Sequence, residues 1–159
     1  MIGVSMIKLT HIHPMFVHFP IVLFIVAVAL TCYAQVKNEN IAARNCLGGA
    51  IVASYAAAAV FSWIAAFFGD IALDAAVNAG FAKDPLETHE SLAGTAIVLL
   101  TVLSIVTLYS WWKHIDLGGM RGRIFTIVAL LTLILLLITA YFGGNLVYEL
   151  GVNVKGVVP

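Results

Sequence analysis

The chain has 159 residues, of which 62% are apolar and only 10% charged, and its formal net charge is zero. A soluble domain carries roughly a quarter charged residues, so water is not this chain's main solvent. With no basic surplus to displace counterions from phosphates, nucleic acid is excluded as the expected partner.

Four stretches contain no Asp, Glu, Lys or Arg: 9–36, 45–69, 91–112 and 124–148. Each holds an apolar run of about 20 residues, the length of helix that crosses a hydrocarbon core of about 30 Å. The fold expected is all-α, a four-transmembrane-helix up-down bundle in the lipid bilayer. One membrane domain covers 1–159, with helices at about 14–36, 46–69, 86–112 and 124–143 and an outer-surface tail at 144–159.

The first helix is expected to begin near Pro14. Its length and the lead-in HIHPMFVHFP, with no basic start, separate it from a cleavable signal peptide. Pro20 lacks a backbone donor and predicts a kink just beyond His18. The second helix carries Ser54, Ala58, Ser62, Ala66 and Asp70 at i+4 steps. Small residues let membrane helices approach, and the same stripe suits a cofactor wall or a homodimer contact. The segment IALDAAVNAGFA (71–82) reads as a short interfacial helix. For the third helix, Asp84 is the expected N-cap, Pro85 the first helical residue and Glu87 the partner of a capping box. That puts His89 about one turn inside the helix, with Ala93 and Ala96 on its stripe.

Short connections at 37–44, 71–83 and 113–123 alternate the helix directions. One side then holds Lys37, Arg44, Lys113, Arg121 and Arg123, and the other Lys8, Lys83 and Lys155 with most of the acids. The richer side is expected in the cytoplasm, which turns both termini outward, into the periplasm of a Gram-negative cell. Trp63, Trp111, Trp112 and Tyr109 fit aromatic belts. Cys32 and Cys46 form no CxxC or CxxCH pattern, so thiol redox chemistry and covalent haem attachment lack support. Both read as packing residues.

Of the five histidines, His11, His13, His18 and His89 share the outer end, and His114 lies at the opposite interface. Ionisable groups near membrane depth are costly and tend to mark function. Neutral imidazole binds iron, copper and zinc, and two histidines on facing helices can fill both axial positions of a haem iron. His18 and His89, at matching depth, are the favoured pair, with Ala93, Ala96 and Ser62 as small-residue walls. His13 is the substitute, or the ligand of a second haem. It lies five residues from His18, about 140° around a helix, and so cannot share one metal with it on a regular helix. The plainer readings stand beside these. His18 can bond carbonyls freed by Pro20, and His89 can cap its helix. A copper or zinc site built from His11, His13 and His18 is the alternative cofactor reading, and a structural or assembly subunit the third. Asp70, Glu90 and Glu149 at the same edge serve as proton carriers, as partners of a histidine's second nitrogen, or as solvated helix ends. No P-loop, HExxH, GxSxG or intramembrane acidic pair is present, and whether any reaction is catalysed stays open.

Three segments carry a family resemblance: HPMFVHFPIVLFIVA (13–27), THESLAG (88–94) and GGNLVYELGVNV (143–154). They resemble the bacterial membrane family known as domain of unknown function 2231. The resemblance covers nearly the whole chain and is most specific in its first and last motifs. It implies a four-helix membrane fold, and its histidines correspond to His13, His18 and His89. Relatives fused to Rieske-type or cytochrome c domains imply a redox setting and a redox partner protein. This chain departs from the pattern at Glu149, where relatives tend to carry histidine.

Overall fold

The computed structural model describes Thr10, residues 12–154 and Val157, so His11 lies outside the described residues. The described chain is helical and has no strand. Five helices follow one another: α1 (Ile12–Phe16), α2 (His18–Val36), α3 (Cys46–Asn78), α4 (Lys83–Lys113) and α5 (Gly119–Tyr148). Helix α1 with α2, and each of the other three, is long and apolar enough to cross a membrane. Consecutive helices pack side by side, α5 closes against α2, and the two diagonal pairs make no close backbone contact. The result is an up-down-up-down bundle with α1 folded onto α3.

The inward faces repeat every 3.5 residues. Buried residues in α2 include Pro20, Phe24, Ala27, Thr31 and Ala34, and in α3 Ile51, Tyr55, Ala58, Ser62, Ala65, Ala72 and Ala76. In α4 they include Leu86, Ala96, Leu100, Leu103, Thr107 and Ser110, and in α5 Gly122, Phe125, Ala129, Thr132, Thr139 and Leu146. Steps of three and four alternate in each, the spacing of left-handed bundles. A strict i+4 stripe drifts by about 40° per step. Hence Ser54 is half-buried, Ala58 and Ser62 are buried, Ala66 is half-buried and Asp70 is exposed. The buried part of that stripe packs inside the bundle. The lipid face is a girdle of exposed apolar residues such as Val22, Phe67, Ile105, Leu131 and Ile134.

Buried hydroxyls bond within their own helices. Thr31 donates to the Ala27 carbonyl at 2.7 Å, Thr126 to Gly122 at 2.7 Å and Thr139 to Leu135 at 2.9 Å. Tyr55, fully buried, meets Thr31 at 3.3 Å and packs edge-on against Phe24 and Phe125. On the lipid face the Trp63 indole donates to Thr101 of α4 at 3.1 Å.

Three helices end on one device, a residue in the left-handed conformation followed by a bond from the next N–H back five residues. Asn38 (φ 53) does this for α2, Gly80 (φ 95) for α3 and His114 (φ 56) for α4. The bonds run from Glu39 N to Ala34 O, Phe81 N to Ala76 O and Ile115 N to Ser110 O.

Several boundaries differ from expectation. Helix α3 does not stop at 69 to restart as an interfacial helix. It runs unbroken for 33 residues, about 50 Å, well beyond the hydrocarbon core. Nothing from Asp70 to Asn78 breaks a helix, and Ala72 and Ala76 are buried at its far end. Asp84 is not the N-cap. Helix α4 starts at Lys83 after Ala82, with no side-chain cap. Asp84 and Pro85 therefore fall within the first turn, where an acid suits the helix dipole and a missing N–H leaves no bond unmade. Cys32 packs half-buried against the core, whereas Cys46, expected to pack, is exposed as the first residue of α3. The chain after Tyr148 folds back over the bundle end. Val152 joins Ala76, Leu86 and Leu146 in a small apolar cluster, and Asn153 donates to the Ala72 carbonyl at 3.1 Å.

The opposite end is tied by Asn40 and Arg44. The Asn40 side-chain oxygen accepts from Ala42 N at 2.9 Å and from Leu117 N at 3.0 Å, joining the two loops of that end. Arg44 lies over the Trp111 ring and donates to the carbonyls of Trp111 and Trp112 at the end of α4.

A candidate two-histidine site

The predicted proline kink takes the form of an interruption at Val17, between α1 and α2, where Pro20 has no N–H for the carbonyl of Phe16. Val17 keeps helical angles (φ −60, ψ −25) and its N–H donates to the His13 carbonyl at 3.1 Å, so α1 carries on the course of α2. On this course α1 lies against α3. Phe16 packs against Phe61 and Phe68 there, at ring distances of 6.4 and 5.7 Å. This contact brings His13 to α3, where its Nδ1 lies 2.8 Å from the Ala65 carbonyl.

His89 enters from the other half of the molecule. It sits two turns before Ala96 on the inward stripe of α4, and its Nδ1 lies 3.2 Å from the Thr139 carbonyl of α5. Both rings lie toward the end of the bundle where α3 and α5 finish, His13 on Ala65 of α3 and His89 on Thr139 of α5. They come from opposite corners of the bundle and occupy the same end of it, both half-buried.

A carbonyl oxygen only accepts. Each Nδ1 must therefore carry the proton, and in a neutral ring the lone pair falls to Nε2. Among the described residues neither Nε2 makes a hydrogen bond. Two imidazoles with Nδ1 held by backbone and Nε2 bare match the usual preparation of histidine as a metal ligand.

The expected site residues divide accordingly. His13 and His89 are each seated on a backbone carbonyl at the same end of the bundle. His18, the first residue of α2, is exposed and makes no hydrogen bond among the described residues. Ala96 and Ser62 are buried and Ala93 is half-buried, and the Ser62 hydroxyl donates to the Ala59 carbonyl at 2.8 Å. Asp70, Glu90 and Glu149 are exposed. Among the described residues no three His, Cys, Asp or Glu side chains converge as a metal site. The set His11, His13 and His18 includes a residue outside the described ones. Sequence reasoning missed Ala65, Gly69, Thr139 and Gly143, which receive the two rings.

Fold and site together define a four-helix membrane protein with a paired-histidine end. The chain belongs to the predicted membrane protein family DUF2231, which matches residues 10–156. No curated protein and no solved structure matches it.

Proposed function

We propose that this protein is a b-type haem protein of the bacterial plasma membrane, with His13 and His89 as the axial ligands of one haem. It passes electrons near the outer face of the membrane to a redox partner protein. The observation that carries this reading is the pair of Nδ1–carbonyl bonds, with neither Nε2 hydrogen-bonded among the described residues at that end of the bundle. His13 takes the place given to His18 on sequence grounds, because His13 is held against a neighbouring helix and His18 is exposed.

Two imidazoles are half of a tetrahedral zinc shell but the whole protein share of a six-coordinate haem, whose ring supplies the other four nitrogens. When bound, the haem iron supplies a reversible one-electron store. The chain's own residues do the rest. The Ala65 and Thr139 carbonyls fix the ring orientations and raise the basicity of the ligand nitrogens. Ala93, Ala96 and Ser62 offer small walls. The cation-rich end, with Lys37, Arg44, Lys113, Arg121 and Arg123, faces the cytoplasm in this reading, and the histidine end faces outward.

The test is the absorption spectrum of protein purified in detergent, before and after haemin is supplied. A Soret band of a six-coordinate haem is expected. His13→Ala and His89→Ala should each abolish or shift it, and His18→Ala should leave it in place. No band under either condition defeats the proposal, and so does a band that depends on His18 but not on His13.

A further inference from the structure

The two halves of the bundle repeat one device. In the first half, the His13 ring bonds the carbonyl of Ala65, and a Cβ on Gly69 would stand 3.1 Å from its Cε1 and Nδ1. In the second half, the His89 ring bonds the carbonyl of Thr139, and a Cβ on Gly143 would stand 2.9 Å from its Cε1. Carbonyl and glycine are four residues apart both times. The histidine precedes its carbonyl by 52 residues in one half and 50 in the other.

The four-residue spacing has a physical cause. In a helix the carbonyl of residue i bonds the N–H of residue i+4 with one lone pair. The side chain of residue i+4 leans toward the helix N-terminus and covers that same carbonyl. A glycine there uncovers the second lone pair and leaves room for a flat ring. Both glycines fall on the inward stripes, Gly69 between Ala65 and Ala72 and Gly143 between Thr139 and Leu146. Helix packing alone does not explain them, since the group seated on each is an imidazole and not a backbone.

We propose that Gly69 and Gly143 are the positioning residues of the site, each opening a backbone carbonyl that fixes a histidine as its Nδ1–H tautomer and leaves both Nε2 lone pairs for one shared metal centre. The identity of that centre as haem rests on the preceding reading, and the tautomers do not. The repeat also makes the two ligands equivalents. One helical hairpin supplies His13 and the other His89, so a centre bound between them is held symmetrically from two sides.

Protein labelled with 15N-histidine and kept free of haem in detergent tests this directly. Ring-nitrogen NMR should show His13 and His89 each as a single Nδ1–H tautomer, unlike exposed His114. Gly143→Ala should cost His89 its fixed tautomer and leave His13 as it was. Gly69→Ala should do the reverse, and more weakly, because its Cβ has slightly more room. With haemin added, each variant should bind about 10- to 100-fold more weakly than the parent. The proposal is overturned if the unaltered protein shows either histidine in the Nε2–H form or in a mixture like that of His114, a measurement that needs no variant to fold. It is also overturned if the glycine variants keep both tautomers. Fixed tautomers without haemin binding defeat the haem reading alone, and haemin binding without fixed tautomers defeats the positioning role alone.

Discussion

His13 and His18 differ by five residues, and that offset decides which of them meets the bundle. Counting back from Ala34 through Thr31, Ala27, Phe24 and Pro20, the alternation of four and three passes through Val17 and His13 and skips His18. The same alternation on α4 passes from Leu86 through His89 and Ala93 to Ala96. This phase is written in the sequence but is hard to see there. In a membrane helix the lipid side is as apolar as the core, so polarity does not mark the inside. Residue size does, and small residues are common on every face of α3. His114 shows another local fact that composition hides. It holds a left-handed conformation that costs a residue with a Cβ about 1–2 kcal/mol. His114→Gly should therefore stabilise the protein by about 1 kcal/mol, read as a later unfolding midpoint in denaturant. An unchanged or earlier midpoint would show that the imidazole makes up for the strain.

Among the elements, α1 depends most on a single residue. Pro20 interrupts the helix at Val17, and α1 beyond it lies on α3 and brings His13 to Ala65. The proline was legible as a kink, but what the segment before it packs against was not. That packing comes from Phe16 finding Phe61 and Phe68, residues about 50 positions away. Pro20→Ala should restore the missing backbone bond and straighten the junction of α1 and α2. We expect unfolding to be no easier and haemin affinity to fall at least tenfold, since His13 leaves its carbonyl. Retained affinity would mean that the break does not place His13. The length of α3 was missed for a related reason. A charge-free run marks where hydrocarbon ends, not where a helix ends, and α3 passes Asp70 and Asp74 to reach Gly80.

For the whole molecule, the number of spans and their alternation followed from charge-free lengths and short connections alone. Which helices close the ring, and what covers its ends, needed the structure, because both depend on contacts between residues far apart in sequence. The two ends differ in chemistry. One carries His13, His89 and the folded-back tail, and the other carries five cations, His114 and the exposed thiol of Cys46. In a Cys32→Ser background, a membrane-impermeant maleimide should leave Cys46 unlabelled in intact cells and label it once the membrane is opened. Labelling in intact cells would reverse the orientation proposed above.

The tie made by Asn40 has a meaning for synthesis. Its side-chain oxygen bonds one loop of the first hairpin and Leu117 of the second, and α5 closes the ring only by returning to α2. A nascent chain that has delivered only its first hairpin therefore has the Asn40 oxygen bonded to Ala42 alone at one end and His13 without His89 at the other. Both ends are completed by the same late event, the arrival of the second hairpin. Assembly of the two-histidine end is thereby coupled to completion of the chain, and an unfinished copy holds His13 on Ala65 with no second imidazole opposite the first half.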